Sequence, residues 1–225
     1  MDRPVGSESF YAIGHGPTGA RFVIVPGARF EMGLRDEDLS ALLAVVERLA
    51  IADWANVSEV LQESGASSIA EYFRSLWSEE IHRMRPVHSV AVSAFLLATS
   101  YVYDDWPSEW RLPTEAEWEF VARDGGHRSL LAQVHSDDVD PDAVSSWGFS
   151  HFASPPEPVS DAWHETHRGA PTDGSSRGGD GGETMRGMRD AWQDLEEAIS
   201  LATAWRAPLD SYAVVGRRPA CELPR

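Results

Sequence analysis

Histidines and carboxylates in close spacing are the first candidates for chemistry in this 225-residue chain. His164 and His167 stand three apart, with Asp161 and Glu165 beside them. On a helix the two histidines share a face. With His88, the set His88, Asp161, His164 and His167 has the ligand types of a mononuclear iron, copper or zinc centre. The simpler reading is two solvated histidines ahead of a glycine-rich loop. Asp138, Asp140 and Asp142 alternate as in a calcium loop, but the glycine and distal glutamate of an EF-hand are absent. An acidic surface loop is the plainer reading there, and Asp173 is a turn-former first and a calcium ligand second. Glu115, Glu117 and Glu119 point apart on a helix and form no acid–base pair. Cys221 is the one cysteine, so no intrachain disulfide is possible.

These side chains need elements to hold them. Residues 21–33 read RFVIVPGARFEMG, two apolar runs about Pro26-Gly27, which predicts a hairpin with Phe22, Ile24, Phe30 and Met32 inward. Leu39, Leu42, Leu43, Val46 and Leu49 repeat at helical spacing after Asp36, a candidate cap. The helical pattern continues at 58–62, stops at Gly65 and restarts at Ser67 or Ser68 through Ile69, Tyr72, Phe73, Leu76 and Trp77. Residues 36–82 therefore read as a helical insertion. Residues 85–102 predict a strand entering the core. Thr114 and Glu117 fit a capping box for a helix over 114–123 that buries Trp118, Val121 and Ala122 and ends at Asp124-Gly125-Gly126. Three prolines in 153–160 predict irregular chain, and 168–182 reads as a flexible glycine-rich loop. Trp192, Leu195, Ile199, Ala202 and Trp205 predict a helix over 191–206, and 214–219 a last strand. No internal repeat is apparent.

Composition bounds the function. The net charge is −17, and all 19 basic residues are arginine. An acidic surface repels phosphates and anionic lipid, so neither nucleic acid nor membrane is an expected partner. The 42% hydrophobic and 10% aromatic content is that of a globular chain. Residues 1–20 lack a basic region followed by an apolar run, and no 18-residue apolar stretch occurs, so the expected location is the cytoplasm.

Residues 111–120 read RLPTEAEWEF, which resembles the signature of the formylglycine-generating-enzyme, or sulfatase-modifying-factor, family. Arg111, Pro113, Thr114, Glu117 and Trp118 are read as its structural motif, with Arg111 a buried salt-bridge partner. Weaker matches follow in the family's order. They are Phe30-Glu31-Met32-Gly33, Arg85-Pro86-Val87-His88 with Phe95, Trp147-Gly148-Phe149, GAPTDGS at 169–175, Arg186-Gly187 and Gly216-Arg217-Arg218. The resemblance covers most of the chain outside 36–82. It implies one domain over 1–225 with an α+β fold related to C-type lectins, much irregular backbone and, in many members, structural calcium.

Catalytic members oxidise a sulfatase cysteine to formylglycine with copper(I) held by two thiolates, a soft ligand pair for a soft ion. Here the corresponding run from Arg186 through Arg189 to Gln193 holds no cysteine, and Cys221 lies beyond it alone. The G-N-V-W-E-W motif is replaced by residues 154–159, which put Pro155 where relatives have Asn. The segment of roughly fifty residues before RLPTEAEWE is cut to 101–110. Copper through a cysteine pair is therefore not expected. The first reading is a degenerate binding or scaffold domain that takes a peptide or protein partner near Trp147, Asp173 and Arg189. The other is a mononuclear metal oxidase or oxygenase with His and carboxylate ligands.

Overall fold

The computed structural model describes residues 12–53, 56–103, 106–126, 147–149, 157–179, 183–187, 205–208 and 217–223. Strands β1 (Ala12–Gly14), β2 (Arg21–Val25) and β3 (Ala28–Met32) come first. Helices α1 (Asp36–Asp53), α2 (Val57–Ser64), α3 (Ile69–Leu76) and α4 (Ser78–Arg83) follow. Then come β4 (His88–Val92), β5 (Phe95–Ala98), α5 (Glu115–Ala122), β6 (Glu157–Ala162), β7 (Glu183–Gly187), β8 (Trp205–Pro208) and β9 (Ala220–Glu222). All pairings are antiparallel, in sheets ordered β1-β2-β5-β9, β3-β4 and β6-β7-β8.

The expected hairpin about Pro26-Gly27 does not form. β2 pairs with β5 and β3 pairs with β4. Tight hairpins of types I′ and II′ need a positive φ at their first turn residue, which proline cannot adopt. The chain instead runs on as one long antiparallel ribbon. Phe22 faces Ala98, Val25 faces Phe95, Ala28 faces Val92 and Met32 faces His88, so the register is unbroken across the gap. The ribbon splits at 26–27 and 93–94, and the expected single strand over 85–102 becomes β4 and β5. At the split a Cβ on Gly27 would lie 2.6 Å from the Val92 carbonyl oxygen and 2.7 Å from the Ala94 nitrogen, so the two chains cross nearly in contact.

Alternation along the ribbon fills two cores. Val23, Val25, Phe30, Met32, Val90, Val92, Phe95 and Leu97 meet Phe120, Val121, Trp147 and Phe149. On the other face of β2 and β5, Phe22, Leu96 and Ala98 meet Trp110. Each such side chain stabilises the fold by roughly 1.5–3 kcal/mol relative to exposure. A third core lies among the helices, where Leu34, Leu39, Leu42, Leu43, Ile69, Phe73, Trp77 and Met84 are buried together.

The helical segment forms where the spacing predicts it. Ser68 caps α3 by accepting the Glu71 N–H, and α2 stops at Gly65 in the left-handed conformation. Asp36 is the first residue of α1, and its carboxylate takes Arg85 at 2.6 Å. Elsewhere propensity yields to pairing. Glu157–Ala162 is a strand despite Pro158, with a register shift in its ladder to β7 that accommodates the missing N–H. Trp205 and Arg206, expected at a helix end, lie in β8, and the last strand is Ala220–Glu222. The rest of the expected helix over 191–204, the acidic loop at Asp138, Asp140 and Asp142, and Arg189 lie outside the described residues.

After α5 the chain turns through Asp124, Gly125 and Gly126 at positive φ, and a Cβ on Gly126 would sit 2.5 Å from the Phe30 Cβ. Gly126→Ala is expected to destabilise the protein by about 2–4 kcal/mol, adding left-handed strain to overpacking. Urea unfolding followed by tryptophan fluorescence measures it.

Candidate functional site

Helix α5 lies between the ribbon and β6, and all eight of its residues are buried. Thr114 and Glu117 close the predicted capping box, with Glu117 accepting the Thr114 N–H at 2.8 Å. Three glutamates on this helix are out of water, and each meets an arginine from a different direction. Glu115 holds Arg206 of β8. Glu117 takes both terminal nitrogens of Arg111 at 2.7 Å, and Arg111 also reaches Glu222 at 2.8 Å. Burial lowers the Arg111 pKa, but its carboxylate partners outweigh that and raise it above its ordinary value. Glu119 accepts Arg123 at 2.9 Å and the Gly33 N–H at 2.7 Å. Arg111 is itself only part-buried, whereas the Arg218–Glu157 pair at 3.0 Å is fully buried and carries Tyr101, whose ring lies 4.9 Å from the guanidinium. Burial, then the Glu157 charge, raise the Tyr101 phenol above its usual range.

Of the candidate metal residues, Asp161 and His167 meet Glu115 of this helix, His88 packs edge to face on His167, and His164 contacts the glycine-rich loop. Residues 163–170 are irregular, so His164 and His167 do not share a helix face. Asp161 faces α5, where its two oxygens accept the Glu115 N–H at 2.6 Å and the Arg177 N–H at 2.8 Å. His164 sits 3.1 Å from the Gly178 carbonyl. His167 is buried, its Nε2 3.9 Å from a Glu115 oxygen, and its ring meets His88 edge to face with centroids 5.4 Å apart. His88 Nδ1 contacts the Pro86 carbonyl at 3.3 Å, and its Nε2 is buried without a hydrogen-bond partner among the described residues. Among the described residues, no three His, Cys, Asp or Glu side chains converge as a metal site.

The binding candidates also have defined places. Trp147 is in the core against Phe120, its indole N–H given to Asp124, so it presents no open aromatic face. Asp173 is exposed and accepts both the N–H and the hydroxyl of Ser175, at 3.1 and 2.6 Å. Those bonds lower its pKa and make it the turn-former its loop context suggests. The loop itself is held rather than free. Thr172 accepts the Ala91 N–H at 2.9 Å, Gly174 accepts the Thr114 hydroxyl at 3.0 Å, and Arg177 spans to Thr166 and Arg168. Cys221 pairs with Leu96 in the β5–β9 ladder, half-buried, and burial raises its pKa.

One cleft is open to solvent nearby, with a volume of about 590 Å³. Leu34, Asp36, His82, Arg85, Pro86 and Glu165 line it with Val87, Thr166 and Arg168. The helical pattern over 36–82 does not announce the cleft, since its wall joins α1 and α4 to a turn over 80 residues away.

The sulfatase-modifying factor enzyme 1-like domain model matches residues 14–166. The chain belongs to this family. The structure of PvdO from Pseudomonas aeruginosa shares the fold, with a TM-score of 0.55 and 16% identity over 95% of this chain and 98% of that one. No curated protein matches the sequence. The family's α+β fold with much irregular backbone is the one described above. No helix among the described residues is long and apolar enough to cross a membrane.

Two measurements test this wiring of the family fold. Arg206→Met strands the buried Glu115 carboxylate and removes the hydrogen bond to the Arg83 carbonyl. It is expected to cost about 3–5 kcal/mol, and Glu115→Gln in the same chain to recover part of the loss in a double-mutant cycle. Cys221 is expected to react slowly with iodoacetamide at neutral pH, with a pH midpoint above the ordinary thiol range.

Proposed function

We propose that this protein is a degenerate family member that binds a peptide or protein partner and does not generate formylglycine. The observation that carries this is the thiol inventory. The family chemistry implied by the resemblance needs copper(I) between two thiolates, and this chain has Cys221 alone. That thiol lies in a strand ladder, half-buried and shifted toward its protonated form. A single sulfur there does not fit a two-thiolate copper site. The binding half of the reading is supported by an intact scaffold with an open polar cleft.

The alternative, a mononuclear iron or copper oxidase, draws on the His88–His167 contact. Two rings do not make a ligand set, and Asp161 is committed to backbone N–H groups. This reading therefore needs ligands from other segments of the chain.

Purified protein loaded with copper(I) and given a Cys-x-Pro-x-Arg peptide under oxygen is expected to consume no oxygen and form no aldehyde above the metal-only control. Robust turnover overturns the proposal. Metal analysis of the same material separates the two readings. Stoichiometric iron or copper that is lost in His88→Ala and His167→Ala favours the oxidase.

A further inference from the structure

The cleft beside α1 has walls of mixed charge whose partners are only partly used. Arg85 is the best held of its polar residues. Its N–H donates to the His82 carbonyl at 3.1 Å, and its own carbonyl accepts the His167 N–H at 2.8 Å. Asp36 holds one terminal nitrogen of the guanidinium at 2.6 Å. Its Nε is buried and has no hydrogen-bond partner among the described residues. Arg85 lines the cleft and gives only one terminal nitrogen to Asp36, so its guanidinium can still donate to an incoming oxygen acceptor.

Across the cleft, Arg168 and Glu165 are exposed and make no ion pair with another described residue. The turn that carries them is fixed from behind. Arg177 binds the Thr166 carbonyl at 2.9 Å and the Arg168 carbonyl at 2.6 Å, and Arg206 lies 3.5 Å from the Glu165 carbonyl. The cleft thus has an arginine on each side, Arg85 and Arg168, with His82 at the end of α4. Glu165 supplies an unused negative charge. Leu34, Pro86 and Val87 give the apolar floor. The volume of about 590 Å³ lies within the usual range of ligand pockets, roughly 300–1,000 Å³.

Long-range charge narrows the ligand class. A chain of net charge −17 repels a polyanion before it reaches two arginines. A ligand carrying both signs meets no such barrier. Arginine holds a carboxylate bidentately, and a carboxylate such as Glu165 accepts from an ammonium.

We infer that this cleft binds a small zwitterion, with its carboxylate on Arg85 and Arg168 and its ammonium on Glu165. Free amino acids and the two ends of a short peptide share that chemistry. The inference deepens the peptide-binding half of the proposed function, but it stands on the cleft and not on the missing thiol.

Saturation-transfer NMR with the twenty unmodified α-amino acids and a set of dipeptides provides the test. Each hit is titrated beside its N-acetyl and carboxamide forms by calorimetry. At least one unmodified compound is expected to bind, and blocking either end to weaken it by about tenfold to a hundredfold. Amino-acid hits and dipeptide hits tell the two sources apart. Arg168→Ala is expected to reduce the preference for free carboxylate over carboxamide, since Arg85 remains, and Glu165→Gln to erase the difference between free and acetylated amine. Both positions are exposed, and an unchanged thermal midpoint checks that the variants fold. Binding by none of the compounds, or equal binding of blocked and unblocked forms, overturns the inference. The absence of formylglycine activity would still stand in that case. Zwitterion binding by a protein that also makes formylglycine would reverse that pattern.

Discussion

Three carboxylates taken out of water on one short helix are tolerable only if each finds a cation with geometry good enough to replace its hydration. Helix α5 is built under that constraint. Glu117 projects from the other side of the helix to Glu115 and Glu119, which stand one turn apart, and their cations come from different parts of the chain. Arg206 arrives from β8, Arg111 from the segment bridged to β9, and Arg123 from the helix's own C-terminus. Each arginine then spends its remaining donors on the neighbours of α5. Arg206 binds the Arg83 carbonyl at the end of α4. Arg111 reaches Glu222, and Arg123 binds the Gly33 carbonyl and approaches Asp38 of α1 at 3.5 Å. Solving the burial problem of one helix therefore docks β9, β8 and the helical segment around it. A planar guanidinium with five donors can do this where a lysine ammonium cannot.

The same economy of polar contacts explains how a fold with so little regular structure holds together. The glycine-rich segment at 168–179 has no strand, yet its backbone is tied to β4, to Thr114 and to Asp161. Asp161 fastens the start of α5 with one oxygen and this loop with the other. Trp163 lies between the guanidiniums of Arg83 and Arg206, at 5.7 and 5.2 Å, and joins the helical segment to the sheet by cation–π contact. His167 takes part in this packing. His167 is sealed beside Glu115, and its backbone N–H holds the turn at Arg85. What stays open is the strip where α1 and α4 meet the 165–168 turn, and that strip is the cleft.

Local rules in the amino-acid sequence determined the parts whose contacts are near in the chain. The capping box at Thr114 and Glu117, the cap at Ser68, the stop at Gly65 and the turn at Asp173 each rest on contacts within a few residues. The RLPTEAEWEF run pointed to the family that the domain model matches, and the sequence holds a single cysteine. Tertiary structure decided everything that depends on partners far away. Apolar alternation marked Phe22, Phe30, Val90 and Phe95 as buried, but not that β2 and β3 run through one kinked ribbon into separate sheets. Backbone pairing is a choice among distant strands, and side-chain pattern does not encode it. Three prolines in 153–160 argued for irregular chain, and at Glu157–Ala162 pairing with β7 outweighed them. Three-residue spacing placed two histidines on one face only on the assumption of a helix, and residues 163–170 form none. The cleft takes its polar lining from residues 36, 82, 85, 165 and 168, which are distant in the chain and meet only through tertiary contacts.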